Sequence, residues 1–175
     1  MVRDEWRCYA TPAGSLVVEV ESNNTASTAT KFSSVTNTIE GTTNTADPDY
    51  YSILLNAGQT VTVEYTITTK KTTTYSCNPE STTDPKTSTN YSGVALMIGG
   101  STSYTSSVNT QKGSCLPAYK EGVNVKATDV TTTTYTLRKS WTASSNNQTI
   151  NFSVQGTIYN GFPTSGTYSL AISVK

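Results

Sequence analysis

Apolar and polar residues alternate along most of this chain with a period of two. In residues 60–68 every second side chain is apolar, and the side chains between them belong to Thr or Glu. Tyr51, Ile53 and Leu55 alternate in the same way just before, and a short glycine-containing connection, residues 56–59, joins the two segments. Such alternation is typical of β-strands that have one face in a core and the other in water. The two segments therefore predict a β-hairpin.

Further strands follow from the same pattern in the rest of the chain. No window shows a helical stripe of apolar residues, and turn residues separate the alternating segments. Many short strands of this kind have few compact solutions other than two packed antiparallel sheets. We therefore predict an all-β fold, an antiparallel, jelly-roll-like β-sandwich with a long, loop-rich insertion. The remaining predicted strands cover residues 16–21, 31–35, 37–40, 93–98, 123–126, 131–141, 148–154 and 166–174.

Serine and threonine make up 57 of the 175 residues, and this composition affects how the polar positions are interpreted. Thr is β-branched and suits a pleated sheet, so Thr at alternating positions indicates the outward face of a strand. Four low-complexity bands rich in Ser and Thr are instead interpreted as loops, and residues 69–90 are the longest predicted excursion from the sandwich. The bands are residues 23–30, 42–45, 72–90 and 101–109.

Charge and missing residue types exclude several classes of function. The chain has no histidine, so it lacks the commonest general base and the commonest zinc ligand. Its 12 basic and 12 acidic side chains balance, without a basic cluster, which argues against a nucleic-acid partner. No run of ten apolar residues occurs, so we expect no membrane span. We predict a protein that is not an enzyme, with no catalytic residues and no cofactor.

Two parts of the chain resemble the bacterial pre-peptidase C-terminal domain. Residues 38–41 read TIEG and residues 47–63 read DPDYYSILLNAGQTVTV, which is similar to that family's strands around an Ala-Gly-Gln turn. Residues 165–174 read SGTYSLAISV and resemble its closing strand. The resemblance implies a small, jelly-roll-like β-sandwich that is exported from the cell, commonly as an accessory of secreted peptidases and other surface enzymes.

The chain also departs from that family's usual layout. About 100 residues lie between the matching ends, where the family typically has roughly a third of that, and about 35 residues precede the match. We therefore divide the chain into an N-terminal extension, residues 1–34, and a sandwich domain, residues 35–175. The matching residues are mostly structural, so they imply a fold and a compartment but no activity.

Asp47 and Asp49 are the strongest candidates for metal ligands in the sequence. Paired carboxylates on a loop supply the hard oxygen ligands that calcium prefers. The alternative is that both residues cap the turn before the strand through hydrogen bonds to the backbone. Too few further acids lie nearby in sequence to complete a coordination sphere, so we expect no metal site.

The three cysteines predict one disulfide and one cysteine left over in an exported chain. Cys77 and Cys115 both lie in the long insertion beside turn residues, and we predict that they pair. The bond would close a loop of about 38 residues and stabilise the fold by about 3–4 kcal/mol in the chain-entropy model. Cys8 is then free or bridged to another subunit; the alternative is three reduced thiols.

Four positions carry the Asn-x-Ser/Thr pattern of N-glycosylation. A chain this rich in Ser and Thr matches the pattern about four times by chance, so placement is more informative than number. Asn147 and Asn151 alternate with apolar residues of a predicted strand and so point away from the core. We predict glycans at the four positions, which are Asn23, Asn90, Asn147 and Asn151.

The aromatic residues divide into a predicted core set and an unassigned set. Five share the phase of aliphatic residues on their strands and are predicted to be core: Tyr51, Tyr65, Tyr135, Trp141 and Tyr168. An exposed aromatic platform for sugar rings remains an alternative for the others. These are Tyr9, Tyr50, Tyr75, Tyr91, Tyr104, Tyr119 and Tyr159.

The N-terminal strand is the sharpest functional indication in the sequence. Leu16, Val18 and Val20 alternate with more polar positions, and a run of small or polar residues, 22–30, follows as a possible tether. We hypothesise that residues 15–21 are donated to a neighbouring subunit, where backbone pairing supplies affinity and the three apolar side chains fill pockets. Head-to-tail donation of this kind builds filaments. The alternative is an ordinary first strand of the same sandwich.

Two function classes follow from these observations. The first is an extracellular or cell-surface structural subunit that assembles with copies of itself into a fibre or surface layer by β-strand complementation, with glycans on its surface. The second is an accessory module that binds polysaccharide or matrix protein. The first explains the missing catalytic chemistry, the Thr-rich surface and the apolar N-terminal strand, and we favour it.

Overall fold

A computed structural model describes residues 14–77, 84–115 and 125–175. Within these ranges the chain forms eleven β-strands and no helix. Residues 1–13, and with them Trp6, Cys8 and Tyr9, lie outside the described residues, as does Tyr119. The strands are β1 (Ser15–Val18), β2 (Thr30–Phe32), β3 (Thr36–Thr43), β4 (Asp49–Leu55), β5 (Thr60–Ser76), β6 (Lys86–Ser92), β7 (Leu96–Ile98), β8 (Tyr104–Gln111), β9 (Lys126–Thr142), β10 (Gln148–Gly156) and β11 (Gly166–Val174).

The strands form two sheets that pack face to face. The first sheet has the order β1-β3-β11-β5-β9-β8, with β6 also paired to β5, and the second has the order β2-β4-β10-β7. Most pairs are antiparallel, but β1 runs parallel to β3 and β2 runs parallel to β4, so both sheets are mixed. The predicted all-β sandwich is confirmed, with these two parallel edge strands as the difference.

The core lies between the two sheets and consists of the apolar positions that alternate along the strands. Val61, Val63 and Ile67 of β5 are fully or almost fully buried, whereas the Thr residues between them are not. Tyr51, Tyr65 and Tyr168 are buried, and Tyr135 and Trp141 pack half-buried against the core, as predicted from their phase. Period-two alternation therefore assigned the inward face correctly on these strands.

Half of the first sheet extends beyond the sandwich as a four-stranded arm with the order β6-β5-β9-β8. The second half of β5 pairs with β6 on one side, from Thr68 to Thr74, and with β9 on the other. The prediction that the bands 72–90 and 101–109 are loops is wrong for most of their described residues, because β5, β6 and β8 occupy them. Both faces of this arm are polar, so no alternation of apolar residues marked its strands.

The described part of the N-terminal extension belongs to the sandwich. β1 lies at the edge of the first sheet and β2 at the edge of the second, which differs from a separate extension that ends at residue 34. The predicted tether is also partly fixed: the amide of Tyr50 donates to the carbonyl oxygen of Asn23 at 2.9 Å. None of the described segments is a helix with the length and apolarity needed to cross a membrane.

Candidate functional site

Three carboxyl groups meet where the chain leaves β1 and where β4 begins. The carboxylate oxygens of Glu19, Glu21 and Asp49 lie within 4.8 Å of one another. Two backbone hydrogen bonds hold the chain in this position. The amide of Glu19 donates to the carbonyl oxygen of Glu40 on β3 at 3.0 Å, and the amide of Tyr50, the residue after Asp49, donates to the carbonyl oxygen of Asn23 at 2.9 Å. The strands β1, β3 and β4 thus bring together acidic residues that are about thirty positions apart in the sequence.

Hydrogen bonds hold two of the three carboxylates in place. Glu19 Oε1 accepts from the backbone amide of Thr42 at 2.6 Å and from its hydroxyl at 2.8 Å. The hydroxyl of Tyr168 donates to Asp49 Oδ2 at 2.7 Å and lies 2.6 Å from the hydroxyl of Tyr51. Burial raises the pKa of Tyr168 far above its usual range, so this hydroxyl keeps its proton and remains a donor.

Two buried oxygen atoms at this place have no hydrogen-bond partner in the described part of the chain. They are Oδ1 of Asp49 and Oδ1 of Asn23, and both residues are 0% exposed. Burial above all, and then the negative charges of Glu19, Asp47 and Glu21, raise the pKa of Asp49 from 3.8 to about 7, although the hydrogen bond from Tyr168 acts in the opposite direction. Buried, unpaired oxygen atoms are costly and uncommon in folded proteins.

A divalent cation fits these residues. Calcium takes six to eight oxygen ligands, including carboxylate and amide oxygens, and its charge would offset the repulsion among three carboxylates. Gly41 leaves room for the arrangement: a Cβ atom there would lie 2.4 Å from the Tyr168 hydroxyl and 2.5 Å from Glu19 Oε2. Here and below, this group of Glu19, Glu21 and Asp49 is called the oxygen cluster.

Of the oxygen cluster, only Asp49 is among the candidate metal ligands predicted from the sequence. Asp49 was a candidate, but Asp47 lies outside the cluster, where it accepts a hydrogen bond from the side chain of Asn24 at 2.8 Å. The prediction of no metal site rested on the lack of further acids nearby in sequence. Glu19 and Glu21 supply them from the N-terminal strand, and their i, i+2 spacing, which places both on one side of an extended chain, is the signal that could have indicated them.

The strand β1 carries an exposed row of apolar side chains. Leu16 is 53% exposed, Val18 59% and Val20 67%, whereas Val17 between them packs against the core. β1 pairs with β3 through four residues only, and its other edge has no strand beside it in the described chain. Exposed Val35 lies next to this row, since it lines the same shallow groove as Leu16. We call these four residues the apolar row.

A groove of about 610 Å³ opens at the first sheet between the end of β1 and the end of β6. β11 pairs with β5 only from Ala171 to Val174. The earlier residues of β11 diverge from β5, and the groove lies where the two strands separate. Val18, Glu19 and Glu40 form one of its sides. The groove thus joins the apolar row to the oxygen cluster.

The disulfide between Cys77 and Cys115 is present, with a Cα–Cα distance of 5.6 Å, as predicted. It links the end of β5 to the segment after β8, at the end of the arm far from the sandwich. Lys112 and Asp129 form an ion pair at 2.7 Å close by, and Tyr75 donates a hydrogen bond to the same carboxylate at 3.3 Å. A disulfide fits an oxidising environment.

Three of the four glycosylation sequons have exposed asparagines. Asn90 lies on β6, Asn147 lies in the turn before β10 with a φ of 55°, and Asn151 lies on the outer face of β10. The structure contradicts a glycan at Asn23, because this side chain is 0% exposed and donates to the hydroxyl of Thr30 at 3.3 Å. Glycans at the other three positions remain a prediction.

The described tyrosines of the unassigned set do not form an exposed platform. Tyr91 and Tyr135 pack edge-to-face against Phe162, and Tyr104 and Tyr135 contact Tyr159. Tyr104 also donates to the carbonyl of Leu96 at 2.9 Å, so its ring is fixed at the base of the arm. These rings hold the arm to the sandwich, which disfavours a sugar-stacking surface made from them.

No protein-family model matches the chain, and no curated protein matches it significantly. The resemblance to the pre-peptidase C-terminal domain therefore stays a prediction that rests on the motifs quoted above.

Proposed function

We propose that the chain is an extracellular structural subunit that assembles with copies of itself into a fibre or surface layer through β-strand pairing. The observation that carries this proposal is the apolar row on β1. Apolar side chains exposed side by side on an unpaired edge strand are typical of interaction sites, because water contact with them is unfavourable and the backbone edge is free to pair.

The contacts of β1 favour addition of a neighbour's strand over donation of β1 itself. Donation requires β1 to leave β3, and the residues that follow β1 hold it there through the hydrogen bonds of Glu19 to Thr42 and of Asn23 to Tyr50. Addition keeps these bonds. A neighbouring strand pairs with the free edge of β1 and covers Leu16, Val18 and Val20.

The oxygen cluster adds a second feature to the proposal, carried by its three carboxyl groups and the unpaired, buried oxygen of Asp49. A divalent cation bound by Glu19, Glu21 and Asp49 fastens the end of β1 to β4 and thereby holds the apolar row in place. Calcium is abundant outside cells, and sites in extracellular modules bind it with dissociation constants of about 10⁻⁴ to 10⁻³ M. This agrees with the disulfide and with the proposed location outside the cell or at its surface.

Sedimentation of matched variants tests the proposal. Leu16→Thr, Val18→Thr and Val20→Thr together place Thr, which favours strands, at these positions and remove most of the apolar row. The control carries the same type of change at Leu54 and Ile158, which are 61% and 83% exposed and lie elsewhere. We expect the wild type and the control to associate as concentration rises and the β1 variant to stay monomeric. Equal association of all three proteins would show that β1 is not the contact.

A further inference from the structure

The free strand edges of this protein differ in how well they are protected against pairing. β2 and β7 have three residues each, and short edges of this kind offer little backbone to a partner. β6 is longer, but Lys86 lies on it and Lys70 and Lys71 of β5 lie beside it. Lysine at an edge opposes pairing, because a second copy would bring like charges together.

β8 is the long edge without such protection. It has eight residues, Tyr104–Gln111, and contains no charged residue, no Pro and no Gly. Its register with β9 runs without a bulge from Tyr104 to Gln111, and no described strand lies on its other side. Val108 at its centre is 65% exposed. Natural edge strands of this length normally carry a charge, a bulge or a proline, so an edge without any of these indicates a partner.

We propose that β8 pairs with β8 of a second copy, antiparallel and around a two-fold axis. This inference rests on the proposed self-association and names a second surface for it, distinct from the apolar row. An isologous pair joins the four-stranded arms of two copies into one continuous eight-stranded sheet.

The chemistry of β8 fits a second copy of itself. A pair centred on Val108 sets this residue opposite its own copy and Ser106 opposite Thr110 of the second copy, so no like charges meet. Within the arm, hydroxyl groups already face each other across strands, as for Thr110 and Thr131 at 3.2 Å and for Thr73 and Thr87 at 3.2 Å. Pairing of β8 with β8 continues these hydroxyl contacts across the new boundary.

The combination of two surfaces has a consequence for the assembly. The β8 contact is isologous and joins two copies, and the contact at the apolar row then links such pairs to one another. A strand pair buries less surface than a stable dimer needs, so the β8 contact forms at high local concentration, as in a fibre, rather than in dilute solution.

Hydrogen exchange together with one charge variant tests this inference. The alternate amides of residues 104–111 that point away from β9 are expected to exchange fast in the dilute protein and to become protected as it associates. Val108→Lys places two lysines near the two-fold axis and is expected to raise the concentration of half-association by about tenfold or more. The control Ser88→Lys adds the same charge to the already cationic β6 edge and is expected to behave as the wild type.

Each outcome decides a separate question. Protection of β8 amides on association, with weaker association of Val108→Lys only, supports the inference. A wild type that associates while its β8 amides keep exchanging overturns the β8 contact and leaves the proposed function in place. A wild type that stays monomeric at every concentration overturns both. Protection that is already complete in the dilute monomer shows that the chain covers this edge itself, and the inference fails.

Discussion

At the scale of single residues, the buried hydroxyl of Tyr168 on β11 connects the two sheets, because it contacts Asp49 and Tyr51 of β4. Val61 and Val63 point inward as the alternation predicts. The contact of Tyr168 with Asp49 and Tyr51 joins residues that lie 119 and 117 positions apart, and it depends on how β11 and β4 face each other across the sandwich. No local pattern contains that information.

Tyr168→Phe is expected to destabilise the fold by about 1–3 kcal/mol, because it leaves a buried oxygen of Asp49 and the hydroxyl of Tyr51 without their partner. Urea denaturation measures the change. Tyr159→Phe is the matched control, since its ring packs in the aromatic contacts at the base of the arm and no hydrogen bond of its hydroxyl occurs in the described part. A loss of equal size in both variants would contradict the role of the Tyr168 hydroxyl.

The oxygen cluster predicts a response to calcium. At a hundredfold excess over its dissociation constant, calcium is expected to raise the free energy of unfolding by about 2.7 kcal/mol. Glu21→Gln removes one exposed ligand, and we expect its affinity to fall about tenfold, which lowers that gain by about 1.4 kcal/mol. Denaturation with calcium and with a chelator measures both values.

The control for this experiment is Glu64→Gln, which removes a carboxylate of β5 that lies outside the oxygen cluster. Its calcium response should equal that of the wild type. Identical stability of the wild type in calcium and in chelator would rule out a site of this affinity.

Glycan occupancy is a further prediction at the residue scale. Peptide mass spectrometry of the protein from its native source is expected to find modification among Asn90, Asn147 and Asn151 and none at Asn23, which is buried. A glycan on Asn23 would contradict the burial of this residue within the segment between β1 and β2.

At the scale of elements, the sandwich strands were predictable and the arm was not. Gly166–Val174 is a strand with the predicted bounds, because apolar residues alternate along all of it. Thr72 to Ser76 contain Thr and Tyr, which favour strands, and Lys86 to Asn90 contain two Thr, but polar residues occupy both faces of each segment. Alternation identifies a strand only where one face is buried, so a sheet with two polar faces resembles a loop.

Few apolar residues are buried in the arm, so we expect the disulfide to contribute more to the stability of the arm than to that of the sandwich. Reduction of the bond between Cys77 and Cys115 removes a loop constraint of about 4 kcal/mol in the chain-entropy model. Hydrogen exchange should speed up in β6, β8 and the arm halves of β5 and β9, while β10 and β11 stay protected. Equal loss of protection in β10 would show that arm and sandwich unfold as one unit.

At the scale of the whole molecule, composition and alternation together predicted a Thr-covered β-sandwich, and the fold confirms it. The edges of its sheets were not predictable, because which strand lies last in a sheet depends on the complete topology. β1 and β8 became candidates for contact only once that order was known. The proposed function thus depends on the exposed edge strands of the first sheet rather than on a catalytic site.

Electron microscopy of negatively stained protein, isolated from its native source without denaturant, tests that account most directly. Strand pairing at the apolar row predicts fibres or a continuous layer with a repeat that corresponds to one subunit or one pair of subunits. Isolated particles the size of a single chain, at all concentrations and with calcium present, would contradict self-assembly as the function of this protein.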